Sequence, residues 1–235
     1  MRKAHQIQLI KRKAYLGADG ARRKKYCAKY QQTLALIQTK IYDALVARLT
    51  LKGERISCKK GCTYCCFQHI WVTLGHGIAV VDYLYSNDNV MRQFLSNYEK
   101  WRESAESISK EIDIWYRSTI NASKSISLME AFREPLTERY FDLQIPCPFL
   151  VKSSCAIYSI RPICCAAHYS VSPPEWCSQT NPNNPRLYEE VPSEQDIYRL
   201  AVLGPPHLSV YPVTLPILIY RLLTEDLSTV LKDFR

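Results

Sequence analysis

The chain has 235 residues and a net charge of +9, with 47% hydrophobic and 23% charged residues. That is ordinary globular composition, long enough to bury a core without metal standing in for one. Only 7 glycines are present and apolar residues recur at helical spacing, which excludes a many-stranded sandwich and points to a mainly α-helical fold.

Residues 1–30 form a basic N-terminal arm. It contains ten Lys or Arg and one acid, Asp19, whereas the remaining 21 basic and 21 acidic residues cancel. Such an arm suits an anionic membrane surface, an acidic partner protein or nucleic acid. Nucleic acid is the least favoured because no recognised motif accompanies it. A solvated leader with a break near Gly17–Gly20 is the plain alternative. The start MRKAHQIQLIKRKAY lacks an apolar h-region and a cleavage site. The best membrane candidate, Val213 to Leu223, is short and interrupted by Pro216 and Arg221. The expectation is a cytoplasmic protein without a transmembrane segment.

Residues 31–235 read as a single helical cysteine-cluster domain. A helix over 31–51 places Leu34, Ile37, Ile41, Leu45 and Leu49 on one stripe. A buried helix is predicted over 76–86. A long one is predicted over 88–118, with Phe94, Tyr98, Trp101, Ile108, Ile112 and Trp115 facing inward. Residues 127–140 suit another, with Ser127 and Glu130 as a capping box and Pro135 as a kink or stop. The segment IPCPFLVKSSCAIYSIRPICC reads as a compact loop or small β-hairpin in a cysteine-rich irregular lobe. Residues 171–193 are proline-rich and irregular. Helices over 194–203 and from about 216 to 231 close the chain.

Nine of the ten cysteines fall in two segments: Cys58, Cys62, Cys65 and Cys66, then Cys147, Cys155, Cys164, Cys165 and Cys177. Thiols used as small core hydrophobes would be scattered through helices. Thiols clustered on Gly-, Pro- and Lys-containing turns can converge on a metal. If 58–66 is partly helical, Cys58, Cys62 and Cys65 or Cys66 share a face. Neighbours Cys65 and Cys66 cannot point the same way. One is expected to join a ligand set with the second segment or to serve a neighbouring ion. Lys59 and Lys60 are expected to favour thiolate. A disulfide framework is disfavoured by the missing signal peptide. A single catalytic thiol does not need nine clustered cysteines. Zinc and iron–sulfur both accept thiolate-only donor sets. The Cys58-x3-Cys62-x2-Cys65 spacing also occurs in radical S-adenosylmethionine enzymes, but no βα-barrel pattern surrounds it. His69, His76 and His168 lie near the clusters and are candidates to complete a mixed site, against the alternative of ordinary packing.

The motifs CKKGCTYCC at 58–66, CPFL at 147–150, CAIYSIRPICC at 155–165 and the later Cys177 resemble the CxxCxxCC cysteine-cluster (YkgJ-like) family, described as zinc- or iron-chelating. The likeness covers about residues 55–180. It implies the ligand pool Cys58, Cys62, Cys65, Cys66, Cys147, Cys155, Cys164 and Cys177. It also implies that Tyr158, Arg161 and Pro162 match an IYxxRP element, in which Arg161 would hydrogen-bond cluster sulfur or a bound carboxylate. The family includes flagellin lysine methylases, so the resemblance implies a [4Fe–4S] cluster supporting redox chemistry or S-adenosylmethionine-dependent methyl transfer to a protein. Two departures are noted: Cys165 stands where Arg is common, and His76 where an acid is common. The alternatives are a structural zinc module whose basic arm binds an anionic partner, and a metal-handling chelator.

Overall fold

The computed structural model describes residues 20–59, 61–120, 135–208 and 213–224. The basic residues Arg2, Lys3, Lys11, Arg12 and Lys13, the position Lys60, the Ser127–Glu130 capping box and the stretch 225–231 lie outside the described residues.

The fold is mainly α, and its first helix is longer than the apolar stripe predicts. Helix α1 runs Gly20–Leu51 and buries Tyr26, Cys27 and Tyr30 besides the expected Leu34, Ile37, Ile41, Leu45 and Leu49. Residues 20–30 of the basic arm are thus its opening turns. Their exposed cations, Arg22, Lys24, Lys25 and Lys29, alternate with those buried side chains. The helix ends where Gly53 takes φ +68°. Glu54 N–H then reaches the Leu49 carbonyl at 2.9 Å and Gly53 N–H the Thr50 carbonyl at 3.1 Å, satisfying carbonyls the helix leaves open.

Strand β1 (Trp71–Val72) leads into α2 (Leu74–Ser86). Thr73 caps α2 by accepting the His76 N–H at 3.3 Å. Helix α2 is apolar on nearly every side, as is the last described helix, α8 (Leu215–Thr224). Helices of that kind belong in a core, and these two pack on each other. A Cβ on Gly77 would stand 2.5 Å from Leu218 Cδ2, so this crossing needs glycine. Helix α1 and helix α3 (Asp88–Ser104) flank the pair.

The predicted helix over 88–118 is two. Helix α3 stops at Ser104, a 3-10 turn covers Glu106–Ile108, and α4 covers Ser109–Ile120. Phe94, Tyr98, Trp101, Ile108 and Ile112 are buried as expected. The Trp115 side chain lies outside what is described. Residues 135–142 are helical (α5), and the predicted part of that helix before Pro135 lies outside the described residues.

Beyond α5 the chain builds a lobe of short pieces. Strands β2 (Leu150–Val151) and β3 (Ser154–Cys155) form the expected hairpin. Its loop residues Lys152 and Ser153 both have positive φ, 47° and 58°, the twist a two-residue hairpin loop requires. A 3-10 turn at Tyr158–Ile160 precedes the short helix α6 (Ile163–Ala166). Strand β4 (His168–Ser170) pairs with β5 (Leu187–Glu189), and Pro174–Cys177 forms another 3-10 turn. Helix α7 (Glu194–Ala201) returns to α1, where Lys40 Nζ meets the buried Asp196 at 2.7 Å. Strand β6 (Val213–Thr214) pairs with β1 and delivers α8 into the core.

Candidate metal centre

The thiols of the two cysteine segments face one another across the lobe. Ser57 N–H donates to the Ser170 carbonyl at 2.8 Å, pinning the start of the first segment to β4. Gly61, at φ +92°, lets the chain fold back so that Cys62 N–H reaches the Lys59 carbonyl at 2.9 Å. Cys65 and Cys66 follow on the 3-10 turn Tyr64–Phe67. Cys147 N–H donates to the Cys66 carbonyl at 2.8 Å, which ties the second segment directly to the first. The hairpin then carries Cys155 back to the same place.

The result is a cavity of about 340 Å³ lined by seven thiols: Cys58, Cys62, Cys65, Cys66, Cys147, Cys155 and Cys165. A second cavity of about 260 Å³ adjoins it, lined by Cys58, Cys62, Cys65 and Cys177. Among the described residues, no three His, Cys, Asp or Glu side chains stand close enough together to hold a single ion. The sulfurs are spread around the cavities and do not meet at one point.

Backbone amides are aimed at the sulfurs. Cys58 Sγ accepts Ser170 N–H at 3.1 Å. Cys62 accepts from Tyr64, Cys147 from Phe149 and Cys155 from Ile157, each an amide two residues on. Such bonds favour thiolate over thiol. Burial opposes them and wins. It pushes Cys58, Cys62 and Cys155 above the ordinary thiol value and Cys147 up to about 12. The expected lowering by flanking lysines is tested only at Lys59, since Lys60 lies outside the described residues. Lys59 does lower Cys62, but desolvation outweighs it. In the Cys65–Cys66 pair, Cys66 hydrogen-bonds to Cys65 and brings it below its ordinary value, assisted by Arg161, while Cys66 itself is raised.

Arg161 and Tyr158 both line the larger cavity, with the guanidinium carbon 4.1 Å from the Tyr158 ring centroid. The Arg161 carbonyl accepts Gln38 Nε2 at 2.7 Å, anchoring this corner to α1. The Arg161 cation lowers Cys65 and Cys155.

Two expectations from the sequence are displaced by one residue or one turn. Cys164 does not face the thiol cavity. It is exposed, its Sγ lies 3.9 Å from the Trp71 carbonyl, and it borders a separate cavity with Tyr26, Tyr30, Trp71 and His76. Cys165 takes the inward place, because consecutive residues on a helical turn point about 100° apart. The two thiols are hydrogen-bonded, which lowers Cys164 and raises Cys165. Of His69, His76 and His168, His168 lines the thiol cavities. His69 is buried, with Nε2 3.0 Å from Thr214 Oγ1 and its ring stacked on Tyr140. His76 is buried against Tyr30 and borders the separate cavity. Burial lowers these two to about 3 and about 4, which keeps them neutral. Cys27 is core, its thiol donating to the Ile78 carbonyl at 3.8 Å.

No protein-family model, curated protein or solved structure matches this chain. No helix among the described residues is long and apolar enough to cross a membrane.

Proposed function

We propose that this chain is a cysteine-ligated metalloprotein whose thiols hold an iron–sulfur centre of the [4Fe–4S] type. The observation that carries the reading is the arrangement of seven thiols from two distant segments around one cavity. Thiolate-only donor sets suit zinc and iron–sulfur alike. The seven thiols exceed the four that one zinc needs, and the resemblance to the cysteine-cluster family favours the polynuclear group. When bound, such a cluster supplies electron transfer or a Lewis-acidic iron.

The protein residues have separate tasks in this reading. The amides of Tyr64, Phe149, Ile157 and Ser170 fix the directions of their sulfurs and favour the thiolate against burial, so that a bound metal would complete the loss of the proton. Arg161 offsets negative charge at the cavity wall. Tyr158 holds the guanidinium in place. Methyl transfer from S-adenosylmethionine to a protein rests on the family resemblance alone. The exposed cations Arg22, Lys24, Lys25 and Lys29 of α1 offer a face for an acidic partner.

The test is iron, zinc and acid-labile sulfide analysis of protein purified without oxygen, with a visible spectrum. Iron and sulfide in equal amounts with broad visible absorbance support the proposal. Stoichiometric zinc without sulfide overturns it in favour of a structural zinc module.

A further inference from the structure

The reading above leaves the number of thiols unexplained, since four thiolates complete either a tetrahedral zinc or a four-iron cluster. Eight thiols face the two adjoining cavities, and the cavities divide them. The larger takes Cys66, Cys147, Cys155 and Cys165, none of which borders the smaller. The smaller takes Cys177, which does not border the larger. Cys58, Cys62 and Cys65 form the wall between them.

The chain's own ties follow the same division. Cys147 is bonded through its amide to the Cys66 carbonyl, and Ala156 N–H donates to the Phe149 carbonyl at 2.8 Å, closing the hairpin that joins Cys147 to Cys155. The Pro174–Cys177 turn packs instead on the Tyr64–Phe67 turn.

We infer that the lobe holds two adjacent four-thiol metal centres, one of Cys66, Cys147, Cys155 and Cys165 and one of Cys58, Cys62, Cys65 and Cys177. This rests on the metalloprotein reading but is separable from it. The adjacency of Cys65 and Cys66 in sequence then has a purpose. Each serves a different centre, so a single peptide link joins the two. Cys164, facing away, belongs to neither.

The experiment counts metal in the full chain reconstituted anaerobically with iron and sulfide. Two double variants are compared with the parent, C147A/C155A and C62A/C177A, each checked for native helix content by far-UV circular dichroism. The parent should carry about eight irons and eight sulfides, as two [4Fe–4S] clusters require. Each double variant should lose about half of its metal and keep the rest. Two zinc ions per chain, one lost in each variant, would also support the division while retiring the iron–sulfur assignment. One cluster per chain would overturn the division and leave the iron–sulfur reading standing. So would all metal lost from either folded variant, or none lost from C62A/C177A. A parent that binds no metal would sink both.

Discussion

In the helical body, α2 and α8 bury apolar side chains on almost every side, and a full turn of helix satisfies each backbone group. In the thiol lobe no described strand exceeds three residues, and the two cysteine segments are tied by contacts such as the hydrogen bond from Cys147 N–H to the Cys66 carbonyl. The body draws its stability from transfer of aliphatic and aromatic groups out of water. The lobe contains half-buried thiols whose protons burial holds in place. A bound metal would displace those protons, so under the proposed function the lobe should gain stability from metal that the body does not need.

The largest separation of the two regions should come from the thiols. Cys165→Ala should remove metal from its centre, as read by metal analysis, whereas Cys164→Ala one residue away should leave the content unchanged. Loading of both centres should weaken as pH falls, because each thiolate must first lose a proton and raised thiol pKa values increase the competition. Equal losses in the two variants would mean that the inward-facing residue has been misassigned.

The next effect belongs to the body. Leu218→Ala removes a side chain that is 0% exposed and should cost about 2–5 kcal/mol in urea unfolding, with metal per folded chain unaltered. Acid should follow. His69 and His76 are held to about 3 and about 4 against an ordinary 6.5. The unfolded chain therefore binds protons first as pH falls below 6.5. Stability is complete above that value and is lost on the way down to pH 4 and below, by on the order of 3 kcal/mol for each histidine. The check is urea midpoints of the metal-free chain between pH 7 and 4.5; a flat profile would place these rings in water. The smallest effect is in the hairpin. Ser153→Gly relieves a non-glycine residue at φ 58° and should stabilise the chain by up to about 1 kcal/mol, visible as slower amide exchange across β2 and β3.

The stripe Leu34 to Leu49 was legible because each position repeats at helical spacing in a polar setting. Its upstream continuation was not. Tyr26, Cys27 and Tyr30 follow a run of Arg and Lys at 22–25 and flank Lys29, and these cations dominate the local pattern and suggest a charged tail. The break after Ser104 was hidden for a related reason. Ile108 lies seven residues from Trp101 and fits one uninterrupted helix, and no proline or glycine marks the stop. The clustering of the thiols was visible in the sequence, and the structure brings eight of them around two adjoining cavities. The choice between Cys164 and Cys165, and between His168 and the two buried histidines, depends on which side of a short turn meets the cavity. Pattern over three or four residues cannot fix that.

The outward turn of Cys164 also makes it a handle. With Cys27 sealed in the core and the other eight thiols lining the two adjoining cavities, Cys164 is the one exposed thiol. A thiol-reactive fluorophore would attach there selectively, a single residue from Cys165, and its emission would register the filling and emptying of the lobe in real time.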